Sequence, residues 1–146
     1  MLFAPSTRER SVAELATILD DLTAEGDDLD RLVADLEPAG WTRPTPAAGW
    51  TISDQIAHLA WTDDASISSA TDPEKFKAIV AAAWRNPTTF VDDGARAWAA
   101  EPAPQLLETW RAGRARLVEA RALGFVAVQG GDGMRGRRDV EAERSP

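Results

Sequence analysis

The feature that most constrains the fold is a long run of apolar residues, spaced three and four positions apart, near the start of the chain. This spacing places the run on one face of a helix from about residue 11 to 36. Ser11 followed by Glu14 matches a capping box, which predicts the start of that helix. A helix of this length with one apolar face must pack against other helices, so we expect an all-α bundle. The run consists of Val12, Leu15, Ile18, Leu19, Leu22, Leu29, Leu32, Val33 and Leu36.

Four more helices follow from start signals and apolar spacing. Thr51 with Asp54 forms a second capping box and opens a helix to about Ser69. Asp72-Pro73 opens a short helix, since proline fits the first helical turn. A further short helix is expected over 90–98, and a longer one over 104–123. In the Asp72 helix, the residues predicted to face inward are Phe76, Ile79, Val80, Ala83 and Trp84.

Composition excludes several classes of function. The chain has no cysteine, so disulfides and thiolate sites are absent. A net charge of −8 disfavours nucleic acid and anionic lipid as partners. No apolar run reaches the roughly 20 residues of a membrane span. The first ten residues lack the apolar core of a signal peptide, so we expect a cytoplasmic protein.

The last part of the chain differs from the rest. We expect residues 1–124 to form one helical domain, and residues 125–146 to be disordered. The second segment is rich in glycine and arginine and has few apolar side chains. Such a composition buries too little apolar surface to offset the entropy of ordering.

The helix expected from Thr51 carries the residues best suited to chemistry. His58 could be a metal ligand or a hydrogen-bonded structural residue. Asp54 is explained by the capping box, while Asp63 falls on the apolar stripe, where carboxylates are rarely buried unless paired. Asp63 could therefore take part in a metal or acid–base site, reach solvent, or pair with an arginine of another helix. Trp50 and Trp61 flank this candidate pocket, and no catalytic residue can be singled out.

The stretch Pro46–Asp64, with Gly-Trp-Thr-Ile followed by Gln-Ile-Ala-His-Leu-Ala-Trp, resembles the DinB-like metal-binding superfamily. Within that superfamily it is most similar to the mycothiol-dependent maleylpyruvate isomerase family, over roughly residues 11–121. The resemblance implies an up-down-down-up bundle of four helices. It also implies a divalent metal, with zinc as the expected ion, of which His58 is the first ligand. Mycothiol as the thiol and a small-molecule substrate are implied in the same way.

The sequence departs from this family in its later part. His58 is the sole histidine, and no helix with Glu-x-x-x-His or His-x-x-x-His follows. We therefore expect a truncated bundle that binds metal weakly and has impaired activity. A frameshift near Arg121 would produce such a tail, and translating the coding DNA in all three frames would test this. The alternative is a non-catalytic helical module that binds a partner or forms a homodimer.

Overall fold

The structure is a computed structural model that describes residues 7–142, with side-chain surroundings for Ser11 and residues 13–122. Within that range there is no strand, only an isolated bridge between Pro44 and Thr51. The all-α prediction is confirmed. The elements are α1 Thr7–Val33, α2 Pro38–Trp41, α3 Ile52–Thr71, α4 Pro73–Arg85, α5 Phe90–Ala99 and α6 Ala103–Ala142.

The first helix differs from its prediction at both ends. α1 is already helical at Thr7, so the capping box predicted at Ser11 and Glu14 was wrong. Residues 8–10, which are arginine and glutamate, are good helix formers and continue the helix ahead of Ser11. At the other end α1 stops at Val33 rather than Leu36, and the four-residue α2, which the sequence did not predict, follows at Pro38.

The predicted starts of α3 and α4 are confirmed. Thr51 accepts a hydrogen bond from the backbone of Asp54, while the Asp54 carboxylate accepts from the backbone of Thr51. This reciprocal capping satisfies two of the backbone donors that a helix start leaves unpaired. At α4, the side chain of Asp72 accepts from the backbone of Lys75 and Pro73 occupies the first turn. The cap at Thr51 fixes the start of α3, and the cap at Asp72 starts α4 directly after α3 ends at Thr71.

Contacts between the long helices establish their directions. Asp63 pairs with Arg114, and further along both helices Arg121 reaches Ser66 and Ser69, so α3 and α6 run parallel. In contrast, Asp30 of α1 pairs with Arg111, while the earlier Gly26 lies beside Arg114, so α1 runs antiparallel to α6. The three long helices therefore run up, down and down. These are the first three directions of the predicted bundle, and no fourth long helix lies within residues 7–142.

The core forms where α1, α3 and α6 meet, and four large apolar side chains predicted on inner faces stay exposed. These are Ile18 (61%) and Leu32 (73%) of α1, and Val80 (38%) and Trp84 (82%) of α4. The inward prediction for these residues was wrong, because helical spacing identifies an apolar stripe but not how much of it a neighbour covers. The buried core consists of Val33, Trp41, Ile56, Ala57, Ala60, Leu106, Leu107 and Trp110.

The backbone of α6 extends to Ala142 and overlaps the segment 125–146, for which disorder is predicted. The side chains beyond Ala122 and residues 143–146 lie outside the described residues. The predicted division between 1–124 and 125–146 therefore stays a prediction. None of the helices in the part of the chain that the structure describes is long and apolar enough to cross a membrane.

Candidate functional site

His58 lies in the second turn of α3, directly after the capping box that starts this helix. Asp54 stands one turn before it, but its Oδ2 accepts from the backbone N–H of Thr51 at 2.8 Å and from the Thr51 hydroxyl at 2.6 Å. Asp54 is therefore engaged in the cap. No hydrogen bond joins this carboxylate to Nδ1 of the imidazole within the described residues, and its place in a pocket stays a prediction.

Two tryptophans enclose the His58 ring. The ring centroids of Trp50 and His58 are 5.4 Å apart in an edge-to-face arrangement, and those of His58 and Trp61 are 5.9 Å apart. Both distances lie in the range of favourable contacts between aromatic rings. The Nδ1 atom of His58 is buried and has no hydrogen-bond partner within the described residues. The predicted pocket residues Trp50 and Trp61 thus lie beside His58.

Helix α5 holds both of these tryptophans. The indole N–H of Trp50 donates to Asp92 Oδ1 at 3.2 Å. Trp61 packs edge-to-face on Phe90, with centroids 5.0 Å apart. A Cβ placed on Gly94 would lie 2.8 Å from Trp61 Cε2, so this position has room only for glycine beside an undisturbed Trp61. The His58 surroundings therefore depend on residues more than thirty positions away in the sequence.

Asp63 points to a different side of α3. Five residues of α-helix turn it about 140° away from His58. Its Oδ2 lies 2.9 Å from Nε of Arg114, with the two side chains 6% and 17% exposed. The N–H bond is not directed at that oxygen, so this contact is an ion pair and not a well-formed hydrogen bond. Of the three alternatives for Asp63, the structure shows the pairing with an arginine of another helix.

The pKa of Asp63 is raised above its usual value of 3.8. Burial is the main cause, because it disfavours the charged carboxylate. The positive charge of Arg114 and its contact with the carboxylate act in the opposite direction and only partly compensate. The net raised pKa indicates that Arg114 offsets the desolvation of Asp63 incompletely.

An apolar cleft opens between α1 and α3, on the side of the bundle away from α6. Its volume is about 540 Å³. Leu59, the residue that follows His58, lines it, as does Gln55, whose side-chain amide donates to Thr45. His58 itself is not among the residues that line it, because successive residues of a helix point about 100° apart. The remaining lining residues are Leu29, Leu32, Val33, Leu36, Arg43, Pro44, Ile52 and Ile56.

The described residues do not complete a metal centre. No group of three histidine, cysteine, aspartate or glutamate side chains with metal-binding geometry occurs among them. His58 is the sole histidine, Asp54 is engaged in the cap, and Asp63 faces α6. A catalytic zinc site uses three protein ligands and one open position. The site around His58 thus offers one imidazole ligand, which fits part of such a centre and not the whole.

Sequence reasoning did not identify Asp92 or Gly94 as neighbours of the tryptophans beside His58. It also did not identify Arg114 as the partner of Asp63. A glycine inside a short helix is a recognised sign of a close backbone approach, and Gly94 carried that signal. Nothing local distinguishes Asp92 from the neighbouring Asp93, since both are acids in the first turn of α5. The partners of these residues lie in distant segments of the chain, so single-sequence periodicity could not identify them.

Comparison with known proteins finds relatives over about three quarters of the chain. Two uncharacterized proteins of Mycobacterium tuberculosis, from strains CDC 1551 / Oshkosh and ATCC 25618 / H37Rv, are each 47% identical to the chain over 108 residues. The match covers 74% of this chain but only 42% of each relative, so the chain spans less than half of their length. No solved structure matches the chain. Residues 22–124 match the family described as the mycothiol maleylpyruvate isomerase N-terminal domain, and the chain belongs to that family.

Proposed function

We propose that His58 is the first protein ligand of a divalent metal, with zinc as the expected ion, in a thiol-dependent protein of this family. One observation carries the proposal: the rings of Trp50 and Trp61 enclose the sole imidazole, whose buried Nδ1 lacks a partner among the described residues. A buried ring nitrogen is normally hydrogen-bonded, so the orphaned Nδ1 needs a partner that the described protein groups do not supply.

The chemistry that we propose for the family site is the reaction of a small organic electrophile with a low-molecular-weight thiol, mycothiol. A bound metal would supply a positive charge that favours the thiolate form of such a thiol. In this chain, His58 would hold the metal while Trp50 and Trp61 form apolar walls beside it. Asp63 has no direct role in this proposal, because it is paired with Arg114 on another side of α3.

We propose that the activity of this chain is impaired, because one imidazole binds a divalent metal weakly and with little selectivity. Any further ligands would have to come from outside residues 11–122. After equilibration with Zn²⁺ and exhaustive dialysis, we expect well below one metal equivalent per chain. A stoichiometric metal that is lost in His58→Ala would contradict the proposed impairment.

The same variant tests the thiol chemistry. With added Zn²⁺, thiol and an electrophilic substrate of the maleylpyruvate type, we expect a slow thiol-dependent reaction that His58→Ala abolishes. Lys77→Ala, which removes an exposed lysine paired only with Glu74, serves as the matched control and should react like the unaltered chain. A reaction that proceeds equally in His58→Ala would contradict the role of His58.

A second candidate function is self-association without catalysis, which the exposure of Leu32 in the cleft favours. An apolar side chain that is 73% exposed in an apolar cleft is a common feature of interaction surfaces. Light scattering should then show a homodimer that Leu32→Glu converts to a monomer. Ile18→Glu is the control, since Ile18 is exposed on α1 but does not line the cleft. A monomeric unaltered chain would rule this function out.

A further inference from the structure

Helix α5 contacts both aromatic rings that enclose His58, although it does not carry a predicted site residue. Asp92 accepts the hydrogen bond from Trp50, and Gly94 and Phe90 bear on Trp61. These contacts differ in kind, one being polar and the other steric. Both of the tryptophan rings that they contact lie beside the same imidazole.

Asp92 makes one side-chain hydrogen bond and one loose ion pair. Oδ1 accepts from Trp50, while Oδ2 lies 4.0 Å from Arg96, one turn further along α5, and this second pair is exposed and weak. A carboxylate in the first turn of a helix is also favoured by the partial positive charge there. Asp93 also lies in the first turn of α5 and is favoured in the same way. That electrostatic effect alone therefore does not explain why Asp92 accepts a hydrogen bond from Trp50, 42 residues earlier.

Gly94 lowers the stability of α5 as a helix, and its contact with Trp61 explains why a glycine is nevertheless present. A glycine inside a helix is less favourable than alanine. At this position, however, a Cβ would lie within 3.0 Å of three atoms of the Trp61 ring. Gly113 of α6 provides the contrast, because a Cβ there would meet Asp63 only at an ordinary distance of 3.9 Å. The missing side chain at Gly94 lets α5 lie directly against the Trp61 ring.

We propose that Asp92 and Gly94 are positioning residues, which fix the imidazole of His58 by holding Trp50 and Trp61 against it. Asp92 fixes the Trp50 ring through its indole N–H, and Gly94 fixes the distance between α5 and the Trp61 ring. The importance of this positioning rests on the proposed function of His58. The positioning itself needs no bound metal.

The test uses the fact that His58 is the sole histidine, so that carbethoxylation by diethyl pyrocarbonate reports on one ring. In Asp92→Ala we expect the modification rate of His58 to rise about fivefold, the population change that the loss of one ordinary hydrogen bond allows. The indole N–H resonance of Trp50, assigned through Trp50→Phe, should shift as well. Gly94→Ala should also raise the rate, whereas Gly113→Ala should not.

Asp92→Asn separates positioning from a general effect on α5. The amide oxygen can still accept from Trp50, but the charge at the helix start is lost. We expect Asp92→Asn and the neighbouring Asp93→Ala to leave the rate unchanged. An Asp92→Asn rate equal to that of Asp92→Ala, or an Asp92→Ala rate equal to that of the unaltered chain, would overturn the proposal.

Metal binding forms a separate arm of the experiment. Zn²⁺ at increasing concentration should protect His58 from carbethoxylation if the imidazole is a ligand. If Zn²⁺ gives no protection while Asp92→Ala still raises the rate, the proposed function fails and the positioning stands. If Zn²⁺ protects but Asp92→Ala changes neither the rate nor the Trp50 resonance, the positioning fails and the proposed function stands.

Discussion

The side of α3 that packs on α6 and the side that carries His58 both bury polar atoms, but they surround them differently. Towards α6, the carboxylate of Asp63 lies beside the guanidinium of Arg114, so a buried charge meets its opposite. At His58, the neighbours are two indole rings, and the buried Nδ1 has no partner in the part of the chain that the structure describes.

This difference separates a structural polar residue from a functional candidate. An ion pair between two helices fixes their relative position, although it need not add stability. The imidazole of His58 is not engaged in such a pair, since its buried Nδ1 has no hydrogen-bond partner among the described residues. The position of Asp63 on an apolar stripe therefore reflects how α3 and α6 pack, whereas the surroundings of His58 are those on which the proposed function rests.

The largest effect on stability is expected from removing the positive charge of Arg114, on the side of α3 that packs on α6. Arg114→Leu would leave Asp63 buried without its counter-charge, and we expect the free energy of unfolding at neutral pH to fall by about 3–5 kcal/mol. Chemical denaturation monitored by circular dichroism measures this. Arg111→Leu is the matched control, because its pair with Asp30 is partly exposed and should cost no more than about 1 kcal/mol. If both variants lost the same free energy of unfolding, the buried pair of Asp63 and Arg114 would not differ from an exposed ion pair.

A smaller effect is expected at the start of α3, close to His58. Thr51→Ala removes the hydroxyl of the capping box, and we expect a loss of about 1 kcal/mol in the free energy of unfolding. Thr51→Ser retains the hydroxyl and should restore most of it. If Thr51→Ser were as destabilised as Thr51→Ala, the loss would come from the methyl group and its packing, and the cap would not be the cause.

The smallest effect on stability is expected from a change in pH, which acts through the titration of Asp63. Because the folded pKa of Asp63 is raised above 3.8, the folded state binds the proton more tightly than the unfolded state does. The resulting stabilisation is complete below pH 3.8 and is lost as the pH rises through the folded pKa. Arg114 opposes the shift, so the loss should be modest.

Asp63→Asn provides the reference for this pH effect, since asparagine does not titrate. The free energy of unfolding of the unaltered chain, measured relative to Asp63→Asn, should decrease as the pH rises from 3.8 towards neutral. A difference that increases over this range would mean that Arg114 lowers the pKa of Asp63 below its usual value.

The helices could be predicted from local signals, whereas the neighbours of the site residues could not. Thr51 with Asp54, and Asp72 with Pro73, identified the starts of α3 and α4 because capping uses residues within one turn. The same reasoning failed at Ser11, where flanking helix formers continue α1 towards the N-terminus. For Asp63, the periodicity placed the side chain on the packed stripe, and pairing with an arginine was one of three open alternatives.

The part of the site that escaped prediction depends on contacts between distant segments. Spacing along α3 brings Trp61 near His58, since residues three apart are neighbours on a helix. No spacing rule connects Asp92 with Trp50 or Gly94 with Trp61, because those contacts depend on how α5 docks on α3. The exposure of Trp84 has the same origin, as none of the residues whose side chains the structure describes covers this face of α4.

The parallel course of α3 and α6 has a consequence for how the chain is connected. A short turn can join antiparallel helices, but parallel neighbours need a link that returns along the length of the first helix. α3 has 20 residues and is therefore about 30 Å long. Helices α4 and α5 make up most of the return path, and α5 passes His58 on the way to Ala103. The segment that the topology requires as a connection is thus the one that supplies Asp92 and Gly94.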